Sequence, residues 1–300
     1  MAHSIVAGYL KLDGRAMFGV VPKVLWEKLT PPDERNQIRL AMRALLFQSR
    51  KEGQKDGRKE GQKEGKWCLV DCGTGDKWDE KRRDMYGLEQ SETTLVSSLA
   101  RLNLRPEDIS YMLESHLHFD HNGGLTRRDR DQKLVPTFPN ATHFIHRKHW
   151  EHALSPHERD QASFFKEDFE PLKGQVPIHW VEGSQASLLD GQVQVFCVHG
   201  HTPHLMVFDV SLPDSPVQLT YASDMVPTAS HVRVPYVMGY DLQPAVMIQE
   251  KKGIYERLAK NEHHYLFLEH DESQECIRVT LGEKGWTLAE RKQLGELVGE

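Results

Sequence analysis

Long apolar runs, an excess of basic charge and a dense set of cysteines are all missing from this chain, and each absence removes a class of protein. No apolar stretch in the 300 residues approaches the roughly 20 needed to span a bilayer, and mean hydropathy is low at -0.59. The opening MAHSIVAGYLKLDG lacks a charged region ahead of an apolar core, so no secretory signal is expected. Lys and Arg number 38 against 44 Asp and Glu, a net charge of -6, which rules out a chain-wide field for nucleic acid or an anionic membrane. Only four cysteines occur: Cys68, Cys72, Cys197 and Cys276. Cys68 and Cys72 sit in WCLVDC, where a reduced thiol acts as a small apolar side chain of a buried strand. A reducing, cytoplasmic compartment is therefore expected. What remains is a globular chain, 38% hydrophobic, long enough for a substantial core and expected to form a single domain over 1–300 with a small-molecule partner.

The pattern along the chain is strand-rich. NQIRLAMRALLFQ (36–48) predicts a long strand, partly exposed because arginines break it, and WCLVDCG (67–73) predicts the next. Between them KEGQKDGRKEGQKEGK (51–66) is a near-perfect eight-residue repeat without an apolar side chain. It cannot offset its ordering entropy by burial and is expected to be a charged hairpin insertion. TTLVSSLARLNL (93–104) has helical spacing, ISYMLES (109–115) and THFIH (142–146) predict strands, and RKHWEHAL follows as a helical turn or two. VQVFCV (193–198), LMVFDV (205–210), VQLTYAS (217–223) and YLFLE (265–269) predict further strands. Residues 244–260 predict a helix, and ERKQLGELVGE a weak surface helix. Strand runs with interspersed helices imply layered sheets flanked by helices.

What the chain does have is ESHLHFDHNGG (114–124), with His116, His118, Asp120 and His121 inside six positions. The motif follows a strand. Extended backbone aims residues two apart the same way, so His116 and His118 can grip one ion; on a helix they would splay by about 200°. Asp120 and His121 come after the strand, where a turn can aim them at a second ion. Gly123 and Gly124 are expected to permit positive φ and close backbone approach. Three more ligand types end predicted strands: His201 after VFCV, Asp224 after LTYAS and His270 after YLFLE. Loops at strand ends on a rigid scaffold are where a metal site is presented. The other histidines are assigned no ligand role. His143, His146, His149 and His152 straddle a strand-to-helix boundary and are expected at surface or boundary positions. His199 is expected in a loop beside the site, and His263 and His264 in solvent.

SHLHFDHNGG, GHTPH (200–204), YASD (221–224) and LEHD (268–271) together resemble the metallo-β-lactamase superfamily, in order from about residue 36 to 271. SHLHFDH is closest to its N-acyl homoserine lactonase branch. The resemblance implies an α/β (α+β) fold: an αββα sandwich of two mixed sheets flanked by helices. It also implies a site for two divalent ions, zinc expected, with a bridging hydroxide that opens a lactone or cleaves an ester. By motif position His116, His118 and His201 would hold one ion, Asp120, His121 and His270 the other, and Asp224 both; Asp120 would also hand a proton to the leaving oxygen. The family allows a homodimer. Two departures stand out. The usual GHTPGH reads GHTPHL here, with His204 where the second glycine stands, and Pro227 occupies the place of a tyrosine three residues after the bridging acid. Tyr236, Tyr240 or His231 could supply a substitute. Early hairpins of relatives overhang the metals, so Met17, Phe18 and Val20 are expected to form an apolar wall for an acyl chain.

Other branches fit less well. Some β-lactamases place cysteine where Asp224 stands and others lack the bridging acid, and flavo-diiron proteins carry an acid at His118. A glyoxalase II-like thioester hydrolase shares all seven ligands but usually adds a helical C-terminal domain. A phosphotriester or phosphodiester hydrolase stays open, because the same hydroxide attacks phosphorus. The reading from a different class is a metal-binding interaction protein whose charged repeat engages a partner.

Overall fold

Two long strands open the chain. In the computed structural model, which describes residues 1–50, 65–213 and 215–299, β1 (Ala2–Asp13) pairs antiparallel with β2 (Gln37–Gln48). β3 (Trp67–Val70) joins β2 antiparallel, and β4 (Ile109–Leu113) runs parallel to β3. A small ribbon of β5 (Thr126–Arg128) and β6 (Leu134–Pro136) intervenes. β7 (Thr142–His146) and β8 (Ile178–Val181) then complete a six-stranded sheet in the order β1-β2-β3-β4-β7-β8. The second sheet holds β9 (Gln185–Leu188), β10 (Val193–Val198), β11 (Leu205–Ser211), β12 (Gln218–Tyr221), β13 (His264–Phe267), β14 (Cys276–Gly282) and β15 (Gly285–Lys292). These lie side by side in reverse chain order, antiparallel except for the parallel pair β12–β13.

The sheets are mixed and layered, as expected. Leu45, Phe47, Val70 and Leu113 of the first sheet share one core with Val195, Phe208 and Phe267 of the second. Such strands are apolar on both faces because each sheet is also covered outside. The helix Leu95–Arg101 and the helix Arg147–Leu154 cover the first sheet through Leu99, Trp150 and Ala153. The helix Pro244–Leu258 covers the second through Met247, Ile254 and Tyr255. Phe208 and Phe267 are fully buried, and truncating such an aromatic to alanine costs about 3–5 kcal/mol. No helix among the described residues is long and apolar enough to cross a membrane. All four cysteines are free.

Several expectations change. β1, β5, β6, β8, β9, β14 and β15 were not predicted, and Glu290–Lys292 close β15, leaving only Leu294–Val298 helical at the C-terminus. Segment 36–48 is a long strand, but not a partly exposed one. It lies between β1 and β3, and Arg43 is 4% exposed. His264 is buried, accepting or donating at 2.8 Å to Thr220 Oγ1, rather than solvated. The expected 51–66 hairpin lies outside the described residues except for Gly65 and Lys66.

Candidate metal centre and cavity

All four distant segments converge at one edge of the sandwich. β4 ends at Leu113, and the chain stays extended through His118 (φ -67°, ψ 149°) before the short helix Phe119–Asn122. His116 and His118 thereby present their rings together, centroids 4.4 Å apart, while the helix carries Asp120 and His121. Ligand-type atoms of His116, His118, His201 and Asp224 lie within 4.8 Å of one another, as do those of Asp120, His121 and His270. Asp224 touches both groups: its Oδ2 is 3.0 Å from His201 Nε2 and 3.3 Å from His121 Nε2, and its Oδ1 is 3.3 Å from His270 Nε2.

Gly123 and Gly124 follow, and close approach is what they provide. A Cβ on Gly123 would lie 2.6 Å from the Thr74 carbonyl, and one on Gly124 3.0 Å from that of Cys72. Neither takes a positive φ; Gly123 sits at -60°. The left-handed positions fall instead on non-glycines beside the site: His204 at φ 62°, where the motif's second glycine would stand, and Ser223 at 51°, next to Asp224. Such backbone persists only where surrounding contacts hold it. Ser223 Oγ is 2.9 Å from Ser115 Oγ, and the His204 N–H donates to His199 Nδ1 at 3.2 Å.

The donors fit a divalent cation. His116 Nε2 and His118 Nε2 are buried without hydrogen-bond partners, and Asp224 Oδ1 has none with hydrogen-bond geometry. Unpaired buried polar atoms facing a common point are what an ion would satisfy. Burial and the neighbouring imidazoles push His116 and His118 well below the usual histidine range. Burial also opposes charge on His201, but Asp224 and Asp241 outweigh it and raise it to about 10. For His270, burial is outweighed by Glu269 and Asp224, which raise it to about 9. Protons on these rings thus compensate the carboxylates in the ion-free site, and a cation must displace them.

This gives a pH dependence with a definite sign. A histidine raised in the folded protein contributes stability fully below its unfolded value, about 6.5. That contribution fades as pH rises through the folded values of about 9 and 10. Metal-loaded protein loses no such contribution, and its ligands bind more readily as they deprotonate. The Tm difference between metal-loaded and chelated protein should therefore widen from pH 6 to pH 9. Scanning calorimetry of both forms across that range checks it; a constant or shrinking gap contradicts it. Groups remote from the ion cancel in the difference.

Outer partners fix the ring orientations. Asp241 Oδ1 holds His201 Nδ1 at 2.9 Å, Glu269 Oε2 lies 2.7 Å from His121 Nδ1, and the Ala41 carbonyl takes His270 Nδ1 at 2.7 Å. Asp71, at the end of β3, accepts from the Ser115 N–H at 2.8 Å and from Asn122 Nδ2 at 2.7 Å. His149 is buried rather than at the surface. Its Nε2 accepts from the Leu117 N–H at 2.9 Å and its Nδ1 donates to the Pro203 carbonyl at 2.7 Å, so it ties two ligand loops together as a neutral ring. Burial pushes it down to about 3. His143 and His146 are buried too, on Glu114 and on the Gly183 carbonyl respectively. None of these partners was singled out from sequence. Glu269 and Asp71 carried the best signal, as acids at the ends of apolar strands next to metal-type motifs.

A cavity opens over His118, Asp120, His201, Asp224 and His270. Leu12, Met17, Phe119 and Met238 give it an apolar side, and Tyr86, Tyr240, Arg159 and Asp160 a polar one. Of the six substrate-contact candidates, Met17 and Tyr240 line it. The others do not. Phe18 is fully buried, stacked 4.5 Å from His231 and 5.0 Å from Trp26. Val20 is 93% exposed, pointing away into solvent. His231 is buried, with Thr228 on Nδ1 at 2.7 Å and the Met17 carbonyl on Nε2 at 2.9 Å. Tyr236 is buried in the core, edge-on to Phe18. Segment 14–26 forms two short helices, Gly14–Phe18 and Lys23–Trp26; Phe18 and Trp26 pack into the core, Val20, Val24 and Leu25 are exposed, and Met17 lines the cavity.

N-acyl homoserine lactonase AttM of Agrobacterium fabrum is 32% identical over 130 residues, 42% of this chain and 45% of that protein. The match thus spans about half the length of that curated relative. Among solved structures, a probable metal-dependent hydrolase from Staphylococcus aureus superposes with a TM-score of 0.79 at 24% identity, covering 97% of this chain and 95% of that one. AidC, a dizinc quorum-quenching lactonase, superposes with a TM-score of 0.71 at 18% identity, covering 98% and 95%; at these identities both speak for the fold. Residues 62–266, more than half of the sequence, match one family, and the chain belongs to the metallo-beta-lactamase superfamily.

Proposed function

We propose that this chain is a metal-dependent lactone hydrolase acting on N-acyl homoserine lactones, with a pair of zinc ions held in a single domain. The observation that carries the reading is Asp224, one carboxylate within reach of imidazoles from both ligand groups at the floor of a cavity with an apolar side. His116, His118 and His201 would hold one ion and Asp120, His121 and His270 the other, with Asp224 shared. Mixed nitrogen and oxygen donors suit zinc, and the similar AidC fold is described as dizinc. When bound, two such ions supply Lewis-acid polarisation of a carbonyl and a water ionised near neutral pH.

The chain's own residues do the rest. Asp120 lines the cavity beside His118 and Asp224, placed to pass a proton through its carboxylate to the ring oxygen as the lactone opens. Leu12, Met17 and Met238 offer an acyl chain an apolar surface and displace water from the reacting carbonyl. Tyr240 is the tyrosine of its segment that reaches the cavity, so it takes the phenol's place that Pro227 leaves vacant.

A lactone panel assayed with zinc-loaded protein, with and without chelator, tests this. Turnover should vanish on chelation and return with zinc. His118→Ala should lower kcat/KM by about a thousandfold, roughly 4 kcal/mol of lost stabilisation. Turnover indifferent to both treatments contradicts the reading.

A further inference from the structure

Asp120 and His121 stand on a helix, Phe119–Asn122, that is only four residues long. So short a helix is not stable by itself, and the place of these two ligands depends on what holds the turn from outside. The loop after β3 does this. The N–H groups of Cys72 and Gly73 both donate to the His121 carbonyl, at 2.8 and 2.7 Å, and the Gly124 N–H donates to the Gly73 carbonyl at 2.8 Å. One side chain of the same loop joins these main-chain bonds. Lys77 Nζ donates to the Gly123 carbonyl, to the Thr126 carbonyl at 2.7 Å and to Asp168 Oδ1 at 3.0 Å.

An ammonium has three hydrogens, and these three acceptors take all of them. The Lys77 side chain is 3% exposed and that of Asp168 6%. Burying such a pair costs both groups their hydration, and two apolar side chains in its place are often no less stable. Stability alone therefore does not account for Lys77, whereas its position does. Gly123 closes the turn two residues after His121, and Thr126 opens β5, so the ammonium fixes the backbone directly behind the ligands. Asp168, on the helix Lys166–Phe169, compensates its charge. We infer that Lys77 is a positioning residue for the ion of Asp120, His121 and His270, acting through the Gly123 carbonyl rather than as a ligand. The inference rests on the two-ion reading above. The ion of His116, His118 and His201 does not share this dependence. His118 lies in extended backbone ahead of the turn, and His201 comes from the loop after β10.

Competition for zinc between the full-length protein and a chromophoric chelator, at fixed pH, reads the affinity of each site. The wild type should take up two ions. Lys77→Met keeps the length of the stem but strands Asp168 and two buried carbonyls, which costs stability as well. The double variant Lys77→Met/Asp168→Leu removes both charges and keeps the fold, which its melting temperature checks. In either variant one zinc should bind about 10–100-fold more weakly and the other as in the wild type. Anomalous diffraction from crystals of the double variant, grown with zinc limiting, should place the retained ion among His116, His118 and His201. Asp168→Asn leaves the ammonium all three acceptors and should bind both ions as the wild type does. Two ions held by the double variant as tightly as by the wild type overturn the inference. So does equal weakening of both, which marks a general loosening, or a retained ion found among Asp120, His121 and His270. An Asp168→Asn variant as impaired as Lys77→Met places the effect in the charge pair rather than in the hold on Gly123, and overturns it too. A wild type that takes up fewer than two ions overturns the two-ion reading itself, and this inference with it.

Discussion

Replacing Asp224 with alanine is expected to lower kcat/KM for lactone opening by about a thousandfold or more, with bound metal falling below that of the wild type. Asp224 is 7% exposed and stands among His116, His121, His201 and His270, the farthest of these rings 3.9 Å away. Among the described residues, no other carboxylate lies within 4 Å of imidazoles from both groups. Asp120 is 3.9 Å from His121 and 3.7 Å from His270, on one side only. Alanine would leave Asp120 as the one carboxylate in the proposed ligand set, so the mutual repulsion of two neighbouring cations in a site of low dielectric would be less compensated. Plasma-emission metal analysis and kinetics on the same preparation read the outcome. Full metal content with activity within tenfold of the wild type would show that the two halves do not depend on this residue.

Arg43→Met is expected to cost about 3 kcal/mol of stability, measured by urea denaturation, and to weaken metal retention as well. The Arg43 Nη1 donates to the Leu268 and Asp271 carbonyls, each at 2.7 Å, on either side of His270. Backbone bonds of the same strand add to the hold: the Ala41 N–H donates to the His270 carbonyl at 3.1 Å and the Arg43 N–H to that of Glu269 at 3.2 Å. Methionine matches the length of the aliphatic stem but strands these buried carbonyls. A loss under about 0.5 kcal/mol, the range of a surface substitution, would mean that β2 does not anchor the His270 loop.

Arg43 also shows where sequence reasoning stops. An arginine in an apolar run suggests solvent, because a buried guanidinium needs acceptors that local sequence does not display. Its acceptors lie more than 220 positions away. The metal motifs were legible for the opposite reason. His116 and His118 depend only on extended backbone over three residues, and His201, Asp224 and His270 each end a strand whose apolar run marks it. Strands β7 and β10 and the helix Arg147–Leu154 fall where the pattern set them. β1, β14, β15 and the short strands β5, β6, β8 and β9 were missed; β15 alternates intermediate and exposed residues and shows no apolar run. The substrate wall was legible only in composition. GRAMFGVV is apolar, but whether Phe18 faces the cavity or the core depends on Trp26, His231 and Tyr236, which local spacing cannot bring together. His149 could have been found: with Trp150 and Ala153 it forms the buried face of its helix, an i, i+1, i+4 pattern.

Crystals of zinc-loaded protein, with anomalous diffraction recorded on either side of the zinc edge, test the central claim most directly. Two peaks are expected, one among His116, His118 and His201 and one among Asp120, His121 and His270, with Asp224 between them. A single peak, or peaks away from Asp224, would contradict it.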